Sequence, residues 1–216
     1  MTIHAQALLF DNDGTLVSSL ESVQRCWTRW AVEYGITAEE FGRIELHGRP
    51  AVEIAADLLP AHVVPEAVAR IEDLEVEDVP NGGAIPLPGT LDLLGALPAD
   101  RWAVVTSATR RLAEARLAAA GILPKTLVAA DDITRGKPDP EPYLLAARAL
   151  GVDPAHCVVF EDAPAGLQAG RAAGMTTVAL ATTHQAHELT ADLVVGDLSA
   201  LSVLVTEAGL EISARS

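Results

Sequence analysis

From about residue 88 onward, short apolar runs alternate with helical patterns, and this alternation constrains the fold more than any other feature. Ala103–Thr106 (AVVT), Thr126–Ala129 (TLVA), Cys157–Phe160 (CVVF) and Thr177–Leu180 (TVAL) read as buried strands. Between them, 109–120, 140–150 and 163–173 read as helices, the last two with prolines near their starts. Strands separated by helices cannot close as tight hairpins. They pair in parallel, with helices covering both faces of the sheet. A fifth run, Ala7–Phe10 (ALLF), supplies another strand at the start of the chain.

The stretch after that first strand is of a different kind. Residues 18 to about 80 show helical periodicity and no convincing strand, with candidate helices near 18–34, 38–46, 50–59 and 65–76. The stretch is bounded by Thr15-Leu16-Val17-Ser18 and by Pro80-Asn81-Gly82-Gly83, the second a flexible joint by composition. The expected architecture is α/β: a Rossmann-like parallel-sheet core made of residues 1–16 and 84–216, with a small all-helical domain inserted at 17–83.

With half of its 216 residues hydrophobic, the chain can fill such a core, and at 4 % aromatic that core must be aliphatic. Thirty acidic against fifteen basic residues give a net charge of −15, which argues against nucleic acid and anionic membranes as partners. Any phosphate bound here needs a local site built from a metal, backbone N–H groups or a few placed cations. Cys26 and Cys157 allow at most one bridge, so neither a disulfide framework nor a zinc knuckle is available. MTIHAQALLF has no basic region ahead of its apolar run, and no apolar stretch approaches 18 residues. The expectation is a soluble, cytoplasmic monomer.

Four clusters of chemistry-bearing residues fall at strand ends, where open α/β sheets bind ligands. Asp11-Asn12-Asp13-Gly14-Thr15 follows the first strand. Two carboxylates two residues apart can divide labour, one attacking or holding a metal and the other moving a proton. The residues alone leave a simple helix cap equally open. Thr106-Ser107-Ala108-Thr109 closes one strand and opens a helix, a place suited to an anion or to ordinary capping. Lys137, in RGKPDP, is one of only two lysines against thirteen arginines, which suggests that a compact ammonium is wanted there. Glu161 and Asp162 end a further strand and offer hard oxygen donors suited to Mg²⁺.

In this order and at these positions, DNDGT, VVTSATR, RGKPDPEPY and VVFEDAPAG make the chain resemble the haloacid dehalogenase-like phosphohydrolases. The stretches WAVVTSATR and FEDAPAGLQAG look closest to sugar-phosphate and glycerol-phosphate phosphatases of that family, and the helical block resembles its small cap. The resemblance implies that Asp11 attacks phosphorus and that Asp13 serves as acid and then base. It implies that Thr106 and Lys137 hold phosphoryl oxygens, with Ser107 and Ala108 beside them in the substrate site. Mg²⁺ would be held by Asp11, the Asp13 backbone carbonyl and Asp162, with Glu161 direct or through water. His47 and Arg49, at the start of a cap helix, would meet the distal part of a small phosphorylated substrate.

Within the cap, Trp27 is the better of two tryptophans for a cleft wall, and the run Glu72, Asp73, Glu75, Glu77, Asp78 reads as a solvated face. A phosphomutase resembling beta-phosphoglucomutase shares these motifs. It would need cap cations for a second phosphate, and this cap has no lysine.

Overall fold

The computed structural model describes residues 2–44, 46 and 49–215. Strands β1 (Thr2–Ala5), β2 (Ala7–Phe10) and the two-residue β3 (Val17–Ser18) come first. Helices α1 (Leu20–Glu33), α2 (Ala38–Phe41), α3 (Ala51–Leu58) and α4 (Val64–Asp78) follow, then β4 (Ile85–Pro86) and α5 (Thr90–Gly95). The remainder runs β5 (Trp102–Val105), α6 (Arg110–Ala119), β6 (Leu127–Val128), α7 (Glu141–Leu150), β7 (Cys157–Glu161), α8 (Pro164–Ala172), β8 (Thr176–Leu180) and β9 (Leu193–Val195). Strands β10 (Leu201–Thr206) and β11 (Gly209–Ala214) end the described chain as an antiparallel pair.

Six strands form one sheet in the order β6-β5-β2-β7-β8-β9, and every pair is parallel. Because side chains alternate along a strand, the two faces collect different residues. Leu8, Phe10, Val104, Val158, Phe160, Val178 and Leu180 pack on one face with Leu93 and Leu94 of α5 and Leu117 of α6. Leu9, Ala103, Val105 and Val159 pack on the other, under Tyr143, Ala146 and Ala147 of α7 and Ala169 of α8. At the centre the rings of Phe10 and Phe160 stack 4.7 Å apart. The parallel sheet covered on both faces is the predicted one, and β2 sits in its middle.

The helical block has its own core. Trp27, Trp30 and Ala31 of α1 pack on Ile54 and Ala55 of α3 and on Ala67, Ile71 and Leu74 of α4. The buried Trp30 indole N–H donates to the Ala67 carbonyl at 2.8 Å. Cys26 and Cys157 are both free, and they lie in different cores. Where the chain leaves the sheet and returns, β3 and β4 pair antiparallel, Val17 with Pro86 and Ser18 with Ile85.

Several details differ from the sequence expectation, among them the unanticipated helix α5 and edge strand β9. The helix expected at 38–46 stops at Phe41, since Gly42 caps it after one capped turn begun by Thr37 and Glu40. The strand expected at 126–129 shortens to Leu127–Val128. A second sheet, β1-β11-β10, was not anticipated. Among the described residues, no helix is long and apolar enough to cross a membrane.

Candidate active site

The four sequence clusters converge at the carboxyl ends of β2, β5 and β7. They line a cavity of about 370 Å³ whose opposite wall is the helical block. That size suits a small metabolite. Leu20, Val23, Trp27, Ile54, Val68 and Ile71 make the helical wall largely apolar, with Trp27 where a cleft wall was expected.

The loop after β2 is held by backbone hydrogen bonds, to β7 and within itself. Asp11 N–H donates to the Phe160 carbonyl at 3.0 Å, and the Asn12 carbonyl accepts from Leu16 and Val17. Gly14 takes a φ of +88°, and a side chain there would strike the Asp162 carboxylate. Gly166 lies so close to Glu161 that a Cβ would overlap its carboxylate.

Lys137 is the hub of the buried charge. Its Nζ lies 2.5 Å from Asp11 Oδ1, 2.7 Å from Glu161 Oε1 and 3.0 Å from the Val105 carbonyl. Burial alone would lower its pKa, but Asp11 and Glu161 outweigh that and hold the ammonium above its ordinary value. For Asp11 the balance is reversed. Burial pushes its carboxyl well above the usual range, Lys137 pulls it back, and Glu161 and Asp162 push it further up. Asp11, Glu161 and Asp162 offer oxygen atoms within 4.8 Å of one another. Lys137 pairs with two of these three carboxylates, and the surplus of hard, negative donors fits a divalent cation such as Mg²⁺.

Glu161 is fully engaged. Oε1 accepts from Lys137 and from the Tyr143 hydroxyl at 2.8 Å, while Oε2 accepts the backbone N–H of Asp162 and of Ala163. Asp162 accepts from Thr15 at 3.3 Å and from the Thr183 hydroxyl. Thr106 Oγ1 accepts from Ala108 N–H at 3.1 Å, and Ser107 and Ala108 line the cavity beside it.

Asp13 stands apart from that cluster. Oδ1 accepts from Ser19 Oγ at 2.6 Å and from Arg116 Nη1 at 3.0 Å, and Oδ2 accepts from Asn12 at 3.1 Å. Arg116 also reaches Glu75 of α4, Nη2 to Oε1, at 3.2 Å. Glu75 corrects the expectation of a solvated acidic face, because it follows Ile71 and Leu74 onto the buried side of α4. Burial pushes its carboxyl up to about 7 against the pull of Arg116, with Asp13 adding repulsion. Asp73 and Asp78 are tied to Arg111 and Arg25.

Arg49 lines the cavity and donates to Asp57 Oδ2 at 2.8 Å. His47 lies outside the described residues. Tyr143, Ser19 and Arg116 were not anticipated from sequence. Arg116 had a signal, since it shares the inward face of α6 with Leu112, Ala113 and Leu117.

The chain is similar to known proteins along nearly all its length. It is 38 % identical to hexitol phosphatase A of Escherichia coli over 208 residues, covering 93 % of this chain and 95 % of that one. It is 40 % identical over 200 residues to validoxylamine A 7'-phosphate phosphatase of Streptomyces hygroscopicus, covering 88 % and 93 %. Among solved structures, CbbY from Rhodobacter sphaeroides in complex with phosphate matches with a TM-score of 0.78 at 26 % identity, covering 90 % of this chain and 95 % of that one. The sequence model of the haloacid dehalogenase-like hydrolases matches residues 5–174. With its acids gathered at the ends of a parallel sheet, the chain belongs to the haloacid dehalogenase-like hydrolases and is an enzyme of their phosphatase type.

Proposed function

We propose that the enzyme hydrolyses the phosphomonoester of a small sugar, polyol or glycerol through a covalent intermediate on Asp11. The observation that carries this is the unequal setting of two carboxylates on one loop. Asp11 is locked to Lys137 among other acids, while Asp13 is turned away to Ser19 and Arg116. Two carboxyls in different surroundings can take different roles.

In the first step an Asp11 oxygen attacks phosphorus and the bond to the alcohol oxygen breaks. Asp13 gives that oxygen its proton. In the second, water attacks the aspartyl phosphate, Asp13 takes the water's proton, and Asp11 leaves as a carboxylate with release of phosphate. Lys137 and the Thr106 group hold phosphoryl oxygens, and positioning of this kind supplies most of the catalysis in phosphoryl transfer. Asp11, Asp162 and the Asp13 backbone carbonyl would hold Mg²⁺, which when bound neutralises charge on the phosphoryl group. Glu161, with both oxygens already taken by Lys137, Tyr143 and two N–H groups, serves to fix the ammonium and the loop beside it.

Residues 17–83 act as the cap in this reading. The core motifs deal with the phosphoryl group, so selection among substrates falls to the cap. A relative named hexitol phosphatase A supports a polyhydroxylated substrate. Against a mutase, the described cap residues lining the cavity bring one cation, Arg49, and two acids, Glu72 and Glu75. That wall is a poor seat for a second phosphate.

The test is phosphate release across a panel of phosphorylated sugars, polyols and glycerol with Mg²⁺. Several polyol or sugar phosphates should be hydrolysed, and Asp11→Asn should abolish turnover while keeping its fold. Isomerised sugar phosphate in place of free phosphate, when a bisphosphate primer is added, would identify a mutase instead.

A further inference from the structure

An acid–base carboxyl must be aimed as well as present, because the proton is delivered to one oxygen and collected from another. The two closest donors to Asp13 both fall on Oδ1, Ser19 at 2.6 Å and Arg116 at 3.0 Å. An oxygen that accepts two such bonds keeps the carbonyl character, which leaves Oδ2, with the longer bond from Asn12 at 3.1 Å, to carry the mobile proton.

Arg116 is an unusual donor to find there. It sits on the apolar side of α6 and is only 4 % exposed, where an arginine is tolerated only if its charge is matched. Its matches are Asp13 on the core loop and Glu75 on cap helix α4. Its Nε has no hydrogen-bond partner, so the two terminal nitrogens carry its directed contacts. The guanidinium is a rigid planar fork, and fixing Nη2 on Glu75 fixes where Nη1 meets Asp13. Nearby, Arg111 of α6 pairs with Asp73 of α4 at 2.5 Å, so the same two helices are also tied at the surface.

We propose that Arg116 is a positioning residue for Asp13, itself set by Glu75, so that the acid–base carboxyl is aligned when cap helix α4 is docked on α6. The proposal rests on the hydrolytic reading above. It makes cap closure and proton transfer one event, so that Asp13 is in place when bulk water is shut out.

Rapid-quench kinetics of the full chain with Mg²⁺ test this, using p-nitrophenyl phosphate and sorbitol 6-phosphate as probes. Nitrophenolate departs without needing a proton, whereas the hexitol alkoxide needs one. In Arg116→Met, release of nitrophenolate in the first turnover should stay within about threefold of wild type. Hydrolysis of the phosphoenzyme should slow at least about tenfold, the scale of lost acid–base help. A burst approaching one nitrophenolate per site should therefore appear, with phosphoryl trapped on the protein. With sorbitol 6-phosphate the first step should slow at least about tenfold as well.

Glu75→Ala should reproduce the pattern without touching Asp13, and Glu75→Gln, which still offers Nη2 an acceptor, should recover most of the loss. The double variant should be no slower than Arg116→Met, because both changes break one chain of contacts. Equal slowing of the first step for both esters, or wild-type behaviour of Glu75→Ala, would overturn the proposal. If Arg116→Met does not fold, the two Glu75 variants decide it alone. A wild type that releases phosphate from no ester refutes the hydrolytic reading first, and this inference with it.

Discussion

Lys137 Nζ touches Asp11 and Glu161 at once, at 2.5 and 2.7 Å, although these residues come from three separate strand-end loops. The ammonium is the pin through the site. Its removal leaves two carboxylates buried without their cation, a change that costs about 3 to 5 kcal/mol when one partner of a buried pair is lost. Lys137→Ala should therefore unfold at a clearly lower temperature than wild type. It should also lower kcat/KM for a sugar phosphate and for p-nitrophenyl phosphate by similar factors, since both present the same phosphoryl group. An unchanged melting temperature would show that the pair is not buried in solution.

Chelation should remove activity, and Mg²⁺ should restore it. Binding to the native state alone stabilises it, so Mg²⁺ should also raise the melting temperature of the wild type. Asp162→Ala should lose most of that thermal shift while still folding. Full turnover after exhaustive EDTA treatment would contradict the metal site.

Arg49→Ala should raise KM and reorder preference among sugar and polyol phosphates, and leave p-nitrophenyl phosphate nearly as before. The reason is position, since Arg49 lines the cavity from the helical block proposed as the cap. Equal losses on the small ester and the sugar phosphates would assign Arg49 to structure or to chemistry instead.

The buried Glu75 predicts a pH-dependent difference in stability. Its carboxyl titrates near 7 in the fold against an ordinary 4.5, so between those values the native state holds a proton that the unfolded chain has lost. Its contribution to unfolding free energy is greatest below about pH 4.5 and falls as pH rises towards 7, by on the order of 3 kcal/mol across the window. Glu75→Gln cannot titrate. The difference in melting temperature between wild type and this variant should change steadily across that range, and parallel curves would show Glu75 to be solvated.

The site motifs were legible because strand and helix periods placed Asp11, Thr106 and Asp162 at strand ends, and composition singled out Lys137, before any contact was known. The residues that hold them were harder to read. Tyr143 lies among Ala146 and Ala147 on the buried side of α7, where an aromatic reads as packing, and its hydroxyl bond to Glu161 spans 18 residues. Glu75 was hidden by its neighbours, since a run of five acids draws the eye from the helical period that turns one of them inward. Arg116 showed in the periodicity, but nothing local names Asp13, 103 residues earlier, as its partner. The β10–β11 pair escaped because its apolar residues sit on both faces: Leu204 and Val205 are exposed in succession, which no simple alternation reveals.

The paired segments β3 and β4 carry a consequence for how such a chain diversifies. The helical insert departs and returns through adjacent backbone, bonded residue to residue from Val17–Ser18 to Ile85–Pro86, and Leu87 N–H and the Thr90 hydroxyl both fasten to the Leu16 carbonyl. Whatever lies between those two points, the sheet receives its ends at a fixed spacing. Helices can thus be grafted, lengthened or traded at this splice without asking any core strand to change its neighbour, and a new substrate preference can arrive in one piece while the phosphoryl chemistry beneath it stays as it was.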